Sequence, residues 1–322
     1  MSAPLHITAF FDGSPGHNKQ TDGVLRALQK LTPLSITHIK TPPPGLRCSV
    51  KDWFNYFKAA VIPGRNIHGA VRVDLIIGTG THTHIPMLLL KKAHPAKVVT
   101  CMKPGFPLFK KIDLCFIPQH DKVKLGKTDN IFLTVGPPVV SEAKGAHDHQ
   151  KGLLLIGGVD KKSHHWDLDQ LRAQVYSILE RKTFMQWTIS SSPRTPADTM
   201  LMLRKVAADN HPNVTFFTSQ ETPPGWIERV YTECQTVWVT ADSISMVYEA
   251  LASGCSVGLL PVKWKRKNSK FQRSIAFLTE TKRVITYPMW VAGHPMVQGA
   301  VLNEAQRCAK EILRRWWPDR LP

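Results

Sequence analysis

Short apolar runs alternate with polar, glycine- and proline-containing turns along most of the chain. The first run, Leu5 to Phe11, leads into a turn and then a segment whose apolar residues recur at helical spacing, and a second run follows from Leu34 to Ile39. This order of strand, helix and strand predicts the start of a parallel, doubly wound sheet. Further strands are predicted at 73–77, 96–101, 114–117 and 131–135.

The pattern restarts after a polar stretch from Ser141 to Lys151, which we interpret as a linker. A chain of 322 residues also exceeds what one ordinary core fills, which favours two domains. We therefore predict an α/β protein with two doubly wound domains, 1–145 and 146–322, and a ligand cleft lined by strand-ending loops. The C-terminal helix could pack back on the N-terminal domain. Strands of the second domain are predicted at 152–156, 186–190, 214–217, 237–240, 257–260 and 284–287.

Composition narrows the class of protein. The chain is 43% hydrophobic and 20% charged, as expected of a globular protein. No stretch approaches the roughly 20 apolar residues that span a bilayer, and the first residues lack the features of a signal peptide, so we expect a cytoplasmic protein. The six cysteines are scattered without paired spacing, which predicts free thiols and no structural metal.

Charge indicates an anionic partner. The formal balance is +18, from 42 Lys and Arg against 24 Asp and Glu. Such an excess attracts nucleic acids, anionic lipid surfaces or phosphorylated substrates. No nucleic-acid module is recognisable, so no specific nucleic acid is expected. The basic run 263–270 and the lysines 110, 111, 122, 124 and 127 could attract a diphosphate or anionic lipid headgroups, and the alternative is that they form solvated loops. The aromatic stripe at 53–57 could insert into a membrane interface, but core packing is favoured for it, and Arg314 to Trp317 is the better interfacial candidate.

Two loops of the first half carry candidate chemistry at predicted strand ends, where ligands bind in open α/β sheets. In the loop Asp12–His17, Gly13 and Gly16 permit close backbone approach and His17 could act as a base or bind an anion; the alternative is a tight turn with a surface histidine. The loop Gly78–His84 is rich in hydroxyl groups and suits a polar ligand. His82 and His84 resemble metal ligands, but no third ligand is evident nearby.

Two further loops follow strands of the second half. Gly157 and Gly158 could let a phosphate lie against backbone amides, or could form a turn that needs positive φ. After the strand that ends at Thr240, Ser243 or Ser245 could cap a helix and offer hydroxyl groups and amides to a diphosphate. Glu249 comes about one turn later and could accept hydrogen bonds from a ribose diol; the alternative is an incidental glutamate. Neither a Walker loop nor the dinucleotide fingerprint is present.

The second-half loops resemble the nucleotide-sugar-binding segment of GT-B glycosyltransferases. More specifically, Val239–Met246 with Glu249-Ala250 resembles the bacterial branch of the mitochondrial-fission Elm family. The same resemblance is carried by Asp12–His17, Ile117–Asp121, Leu155–Gly158 and Ser190–Pro196. These segments spread from residue 12 to about 261, so the resemblance covers most of the chain.

The resemblance implies a GT-B-like fold with two Rossmann-like domains facing across a cleft. The N-terminal domain would then take the acceptor and the C-terminal domain the nucleotide-sugar donor. One departure is that only Arg194 stands where we would expect an arginine pair. The implied donor-binding residues are Gly157, Gly158, Ser190, Arg194, Ser243, Ser245 and Glu249, and the resemblance places Gly16 and His17 near the acceptor. Gly13, Thr79, Thr81 and His82 of the first-half loops are further acceptor-side candidates.

The function expected from these observations is a metal-independent glycosyltransferase acting on an envelope glycolipid or polysaccharide at the inner membrane surface. His17 or Asp12 would deprotonate the acceptor hydroxyl, and no cofactor is expected besides the nucleotide-sugar substrate. No Asp-x-Asp metal motif stands beside the donor loop. The alternative is a non-catalytic, membrane-associated adaptor of the Elm family type.

Overall fold

The computed structural model describes residues 3–41, 72–121, 129–143, 147–210, 212–267, 269–296 and 298–322. The chain forms two compact units, Met1–Val140 with Asn303–Pro322, and Ser141–Leu302. The division thus falls slightly before the predicted boundary at 145, and the C-terminal helix belongs to the first unit. The predicted aromatic stripe at 53–57, Cys48, and the lysines 122, 124 and 127 lie outside the described residues.

The first unit is built on a six-stranded parallel sheet in the order β2-β1-β3-β4-β5-β6. The interior strands Leu75–Thr79 and Leu114–Pro118 are buried throughout, which explains why they read as continuous apolar runs. The strands are β1 (Leu5–Phe11), β2 (Leu34–Lys40), β3 (Leu75–Thr79), β4 (Lys97–Thr100), β5 (Leu114–Pro118) and β6 (Ile131–Thr134), and the helices are α1 (Pro15–Gln29), α2 (His84–Ala93) and, from the end of the chain, α9 (Glu304–Trp316).

Helix α9 completes the core of the first unit. Its residues Ala305, Cys308 and Ile312 are buried in one cluster with Leu5 of β1 and Leu28 of α1. Apolar residues at this helical spacing form one face, and burying that face is the main stabilisation available to such a helix. The end of the chain is therefore held by the hydrophobic effect on the unit that begins it.

The second unit has its own six-stranded parallel sheet, in the order β10-β9-β7-β11-β12-β14. A two-residue antiparallel pair, β8 with β13, lies beside it. The strands are β7 (Asp148–Ile156), β8 (His164–His165), β9 (Gln186–Ser191), β10 (Val214–Phe217), β11 (Cys234–Thr240), β12 (Ser256–Leu260), β13 (Lys263–Trp264) and β14 (Val284–Thr286), and the helices are α3 (Leu168–Arg181), α4 (Ala197–Asp209), α5 (Trp226–Glu233), α6 (Ile244–Ala252), α7 (Lys270–Glu280) and α8 (Tyr287–Val291).

The strand order of each sheet reverses at one point, and both points carry predicted site loops. In the first sheet this is between β1 and β3, where Phe11 pairs with Thr79. In the second sheet it is between β7 and β11, where Leu155 pairs with Val239. Ligands of doubly wound sheets bind in the crevice at such a switch point, because neighbouring loops diverge there to opposite faces. The pairing of β1 with β3 and of β7 with β11 therefore brings two candidate loops together in each unit.

The predicted linker was partly wrong. Strand β7 begins at Asp148 instead of Gly152, because Asp148 already pairs with Cys234 of β11. The residues from Asp148 to Gln150 are exposed, so this end of the strand has the polar composition of a linker while it keeps the hydrogen bonds of a sheet.

Candidate functional site

Asp12 and His17 form a hydrogen-bonded pair at the switch point of the first unit. The Nδ1 atom of His17 lies 2.7 Å from Oδ2 of Asp12, and the backbone N–H of Ser14 donates to Oδ1 of Asp12 at 2.9 Å. A carboxylate only accepts hydrogen bonds, so Nδ1 carries the proton and Nε2 is left as the basic nitrogen. The Asp12 side chain is 6% exposed and that of His17 is 36% exposed. The pair can therefore present an oriented base to a ligand.

Gly80 makes room for this pair and was not predicted from the sequence. Its φ of +116° disfavours other residues, and a Cβ atom there would lie 2.9 Å from Nδ1 of His17 and overlap the carboxylate of Asp12. Because Gly80 directly follows the apolar run that forms β3, its position in the sequence could have indicated a close approach of two loops. Glycine at this position lets the two strand-ending loops pack closely.

The predicted acceptor-side residues differ in how far they are exposed to solvent. Thr79 is 1% exposed, and its hydroxyl oxygen accepts a hydrogen bond from Thr21 at 3.0 Å, so the structure uses this group inside the unit. Gly13 and Thr81 are exposed and His82 is half-buried. Gly16 lies in the first turn of α1. Exposure thus leaves Gly13, Thr81 and His82 accessible from solvent.

His84 is a buried histidine near His17. It is 1% exposed, and its Nε2 lies 3.2 Å from Oγ1 of Thr100. Burial, with a smaller contribution from the charge of His17, lowers the pKa of His84 to about 4. His84 is therefore neutral at neutral pH. Within the described part of the chain, no group of three His, Cys, Asp or Glu side chains is placed to hold a metal ion.

Gly157 and Gly158 lie at the switch point of the second unit. The N–H of Gly157 donates to Oγ1 of Thr240 at 2.7 Å, and the N–H of Gly158 donates to Oδ2 of Asp242 at 3.1 Å. A Cβ atom on Gly157 would overlap the side chains of Asp242 and Ser243, and one on Gly158 would overlap the backbone of Arg194. Both positions need glycine because two other loops pack against their backbone.

Asp242 binds Arg194 and Ser243 together. Its Oδ2 accepts from the Arg194 guanidinium at 2.9 Å and from the Ser243 hydroxyl at 3.1 Å, while the guanidinium also lies 3.3 Å from Oγ of Ser243. The Asp242 side chain is 1% exposed and the Arg194 side chain is 45% exposed. Asp242 was not predicted as a site residue. Its position one residue before a candidate cap was a signal for it.

Ser192 and Thr195 hold the loop that carries Arg194. The hydroxyl of Ser192 donates to the carbonyl of Gly157 at 2.9 Å, and the hydroxyl of Thr195 donates to the same carbonyl. Both residues are buried, and neither was predicted as a site residue. Ser190, which was predicted, is 6% exposed within β9. These contacts fix the backbone from which Arg194 extends.

The residues expected at the start of α6 divide into an exposed group and a buried group. Ser243 occupies the N-cap position, but its side chain makes no capping hydrogen bond, because it is engaged by Asp242 and Arg194. Ser245 is exposed in the first turn. Glu249 is 4% exposed, and its charge contributes, after burial, to raising the pKa of the buried Tyr231. The carboxylate of Glu249 is therefore inside the unit.

The basic segment 263–267 is attached to the loop that follows Gly158. The N–H of Lys265 donates to the carbonyl of Ser163 at 2.9 Å, and Nε2 of His164 lies 3.1 Å from the carbonyl oxygen of Gly158. The ring of Trp264 stacks on that of Phe271, with centroids 6.0 Å apart. Several lysines are thus placed beside the Gly158 loop.

The tryptophans near the C-terminus pack within the first unit. Trp316 and Trp317 are partly buried against its core. Glu311 accepts hydrogen bonds from the side chains of both Arg314 and Arg315. No helix in the described ranges combines the length and the apolar character that crossing a bilayer requires.

Solved structures with a similar fold include enzymes of UDP-sugars. A candidate UDP-N-acetylglucosamine 2-epimerase from Listeria monocytogenes has 13% identity and a TM-score of 0.61, with 97% of this chain and 95% of that chain covered. MurG from Acinetobacter baumannii has 13% identity and a TM-score of 0.55, with coverages of 97% and 99%. A UDP-glucosyltransferase from Polygonum tinctorium has 11% identity and a TM-score of 0.51, with coverages of 97% and 94%. These similarities confirm the predicted GT-B-like fold.

Sequence comparison defines the family. A search of curated proteins gave no match. The model of the family described as "Mitochondrial fission ELM1" matches residues 15–316, which is nearly the whole chain and includes every candidate site loop except Asp12 to Ser14. The resemblance seen in the sequence motifs is thereby confirmed, and the protein belongs to the mitochondrial fission ELM1 family.

Proposed function

We propose that this protein is a metal-independent glycosyltransferase that binds a nucleotide-sugar donor in its second unit. The observation that carries the proposal is the guanidinium of Arg194, held at the N-terminal end of α6 by Asp242 and Ser243. Helix N-termini and exposed guanidinium groups both favour anions, and a diphosphate satisfies both. The exposed hydroxyl of Ser245 lies in the same helical turn and would add a donor.

The similar structures support the class of substrate. Two of them bear the names of enzymes of UDP-sugars, a 2-epimerase and a glucosyltransferase. The ligand we propose is accordingly a nucleoside diphosphate joined to a sugar, and the proposal needs no cofactor besides this substrate. Gly157, Gly158 and Ser190 would shape the backbone of the donor site, and lysines beside the Gly158 loop would attract the diphosphate.

His17 is the base in the proposed reaction. Its Nε2 would take the proton of the acceptor hydroxyl while that oxygen attacks the anomeric carbon and the bond to the nucleoside diphosphate breaks. The carboxylate of Asp12, hydrogen-bonded to Nδ1, would stabilise the imidazolium that forms. Gly13, Gly16, Thr81 and His82 would contact the acceptor.

The acceptor we propose is an envelope glycolipid or polysaccharide at the inner membrane surface. Segment 263–267 would meet anionic headgroups there, where each nearby cation contributes about 1 kcal/mol. A cytoplasmic location with peripheral attachment to the membrane is part of the same proposal.

A second candidate function is that of a membrane-associated adaptor without catalysis. Two observations favour it. The carboxylate of Asp242 already neutralises Arg194, and Glu249, expected to bind a ribose, is buried. A protein that had kept the fold but lost donor binding could retain such internal pairs.

Titration calorimetry with UDP, GDP and ADP tests the donor site. We expect one diphosphate to bind, Arg194→Gln to weaken it about tenfold or more, and the matched Arg204→Gln to leave it unchanged, since Arg204 is exposed beside Glu221. Failure of the folded protein to bind any of the three would count against the donor proposal. Liposome binding that survives Ser243→Ala and Glu249→Gln would then favour the adaptor.

A further inference from the structure

A cavity lies at the edge of the second sheet opposite to the predicted donor loops. Its volume is about 550 Å³, within the range of small-molecule sites. Residues at or near the amino ends of three strands line it, namely His149 of β7, Gln235 of β11 and Ser256 of β12. Gly157 and Asp242 follow the carboxyl ends of β7 and β11, so this cavity is separate from the donor site.

Part of the cavity wall is apolar and aromatic, while polar side chains such as Gln235, Thr236 and Ser256 line the rest. Trp238 and Trp290 meet with ring centroids 5.2 Å apart and planes at 73°. Met185 and Met296 also line the cavity, and both thioether chains adapt to irregular ligands. Phe184 at the rim is 65% exposed, which is unusual for so large an apolar side chain. The apolar side chains on this part of the wall suit an alkyl chain, whose burial against them is favourable.

Two cations stand at the rim of this wall. The guanidinium of Arg181 lies 5.2 Å from the ring centroid of Trp290, and Nζ of Lys182 lies 5.6 Å from that of Phe184. Among the described residues neither cation has a carboxylate within ion-pair distance, and no residue that lines the cavity is acidic. Positive charge with no internal counter-ion complements an anionic group on a ligand.

We propose that this cavity binds an anionic amphiphile, a molecule with one alkyl chain and a phosphate or carboxylate head. The chain lies against Trp290, Met296 and Phe184, whose side chains reach the surface of the cavity, and the head pairs with Arg181 and Lys182. Burial of the chain supplies affinity, and the two cations select an anionic head over a neutral one.

Calorimetric titration of the full-length protein with dodecyl phosphate, below its micellar concentration, tests the proposal. We expect one molecule to bind, with a change in tryptophan fluorescence because the partly buried Trp290 lines the cavity. The double variant Arg181→Gln/Lys182→Gln weakens binding about tenfold or more. Phe184→Ala, an exposed position that does not endanger folding, weakens it as well. The matched control Arg172→Gln, also on α3 but paired with Asp169, binds like the wild type.

Control ligands show whether the alkyl chain, the anionic head or both are needed for binding. Inorganic phosphate alone and dodecyl maltoside should each bind much more weakly than dodecyl phosphate, because each lacks one half of the recognised chemistry. Saturating UDP should not displace dodecyl phosphate. Equal binding of dodecyl maltoside, binding at micellar concentrations only, equal affinity of the double variant and Arg172→Gln, or displacement by UDP would each overturn the proposal.

Discussion

The guanidinium of Arg194 donates a 2.9 Å hydrogen bond to Oδ2 of Asp242, and the two residues come from loops that follow different strands, β9 and β11. The second carboxylate oxygen, Oδ1, is buried and has no hydrogen-bond partner among the described atoms. A buried carboxylate of this kind is tolerated because it is paired. The stability of the site therefore depends on the positive charge of Arg194, which compensates the buried Asp242 carboxylate.

We expect Arg194→Gln to lower the free energy of unfolding by about 1–3 kcal/mol. The change leaves the Asp242 carboxylate buried without a cation, although the N–H of Gly158 and the hydroxyl of Ser243 still donate to it. Urea unfolding measures the loss. Arg172→Gln, which breaks an exposed ion pair with Asp169, serves as the control and should cost about 0.5 kcal/mol or less. Equal losses in the two variants would contradict this interpretation.

We expect Asp242→Asn to tighten the binding of the nucleoside diphosphate about tenfold. The substitution removes a negative charge beside the guanidinium that we propose to bind the phosphate, and an amide can still accept a hydrogen bond. Calorimetry measures the affinity. Asp169→Asn removes a carboxylate from the exposed pair with Arg172 and should have no effect. An unchanged or weaker affinity in Asp242→Asn would show that Asp242 does not compete with the ligand.

We expect Gly158→Ala to destabilise the protein by about 1–3 kcal/mol, because the added methyl group overlaps backbone atoms of Arg194 that cannot rotate away. Gly299→Ala is the matched control. The nearest atom to a Cβ there is Cα of Arg283 at 3.9 Å, so the stability should change by about 0.5 kcal/mol or less. Thermal or urea unfolding distinguishes the two. Similar stability of both variants would mean that the Gly158 loop can move apart from Arg194.

The lowered pKa of His84 predicts that the folded protein loses stability on acidification. Its pKa is lowered from 6.5 to about 4 in the folded protein, chiefly by burial. Between these values the unfolded chain binds a proton that the folded protein does not, so stability is full above pH 6.5 and falls as pH drops towards 4. The loss is on the order of 3 kcal/mol. Unfolding of His84→Gln measured across this range should depend less on pH.

The control for His84→Gln is His94→Gln, because His94 ends the same helix and is less buried. It should keep the pH dependence of the wild type. The same slope in His84→Gln as in the wild type would show that other groups cause the acid sensitivity.

The buried cysteines should resist alkylation in the native protein. Burial raises the pKa of Cys101, Cys115, Cys234 and Cys255 to about 12, so the reactive thiolate is scarce at neutral pH and access is blocked. Mass spectrometry after treatment with iodoacetamide should find these positions unmodified until the protein is unfolded. Labelling of native Cys101, which is 2% exposed, would indicate local opening of the first unit.

Much of the fold could be predicted from the sequence because buried parallel strands are short apolar runs that end in glycine, proline or polar residues. Leu5–Phe11 and Val214–Phe217 were predicted with the observed bounds. Helix α5 and the β8–β13 pair were not predicted: α5 is only eight residues long, and the two-residue strands β8 and β13 depend on pairing between distant segments. The polar start of β7 resembled a linker because its exposed side chains carry no signal of its backbone pairing.

In the candidate site, too, some features could be predicted from local sequence motifs and others depend on tertiary packing. Local motifs indicated Asp12, His17, Gly157, Gly158 and Ser243, because turn glycines and strand-ending polar residues can be recognised one loop at a time. Arg194 was implied by the family resemblance. The motif around Glu249 was equally clear, yet the tertiary structure buries that carboxylate.

Two parallel α/β sheets with polar loops at the strand ends could be predicted from the pattern of apolar and polar residues. The tertiary structure alone decided which loops meet: Gly80 with Asp12 in one unit, and Gly158 with Arg194 and Asp242 in the other. It also places α9 in the first unit, a packing that the sequence offered as one possibility. The physical reason is that strand order and register depend on contacts between residues far apart in the chain, which no local pattern of apolar and polar positions records.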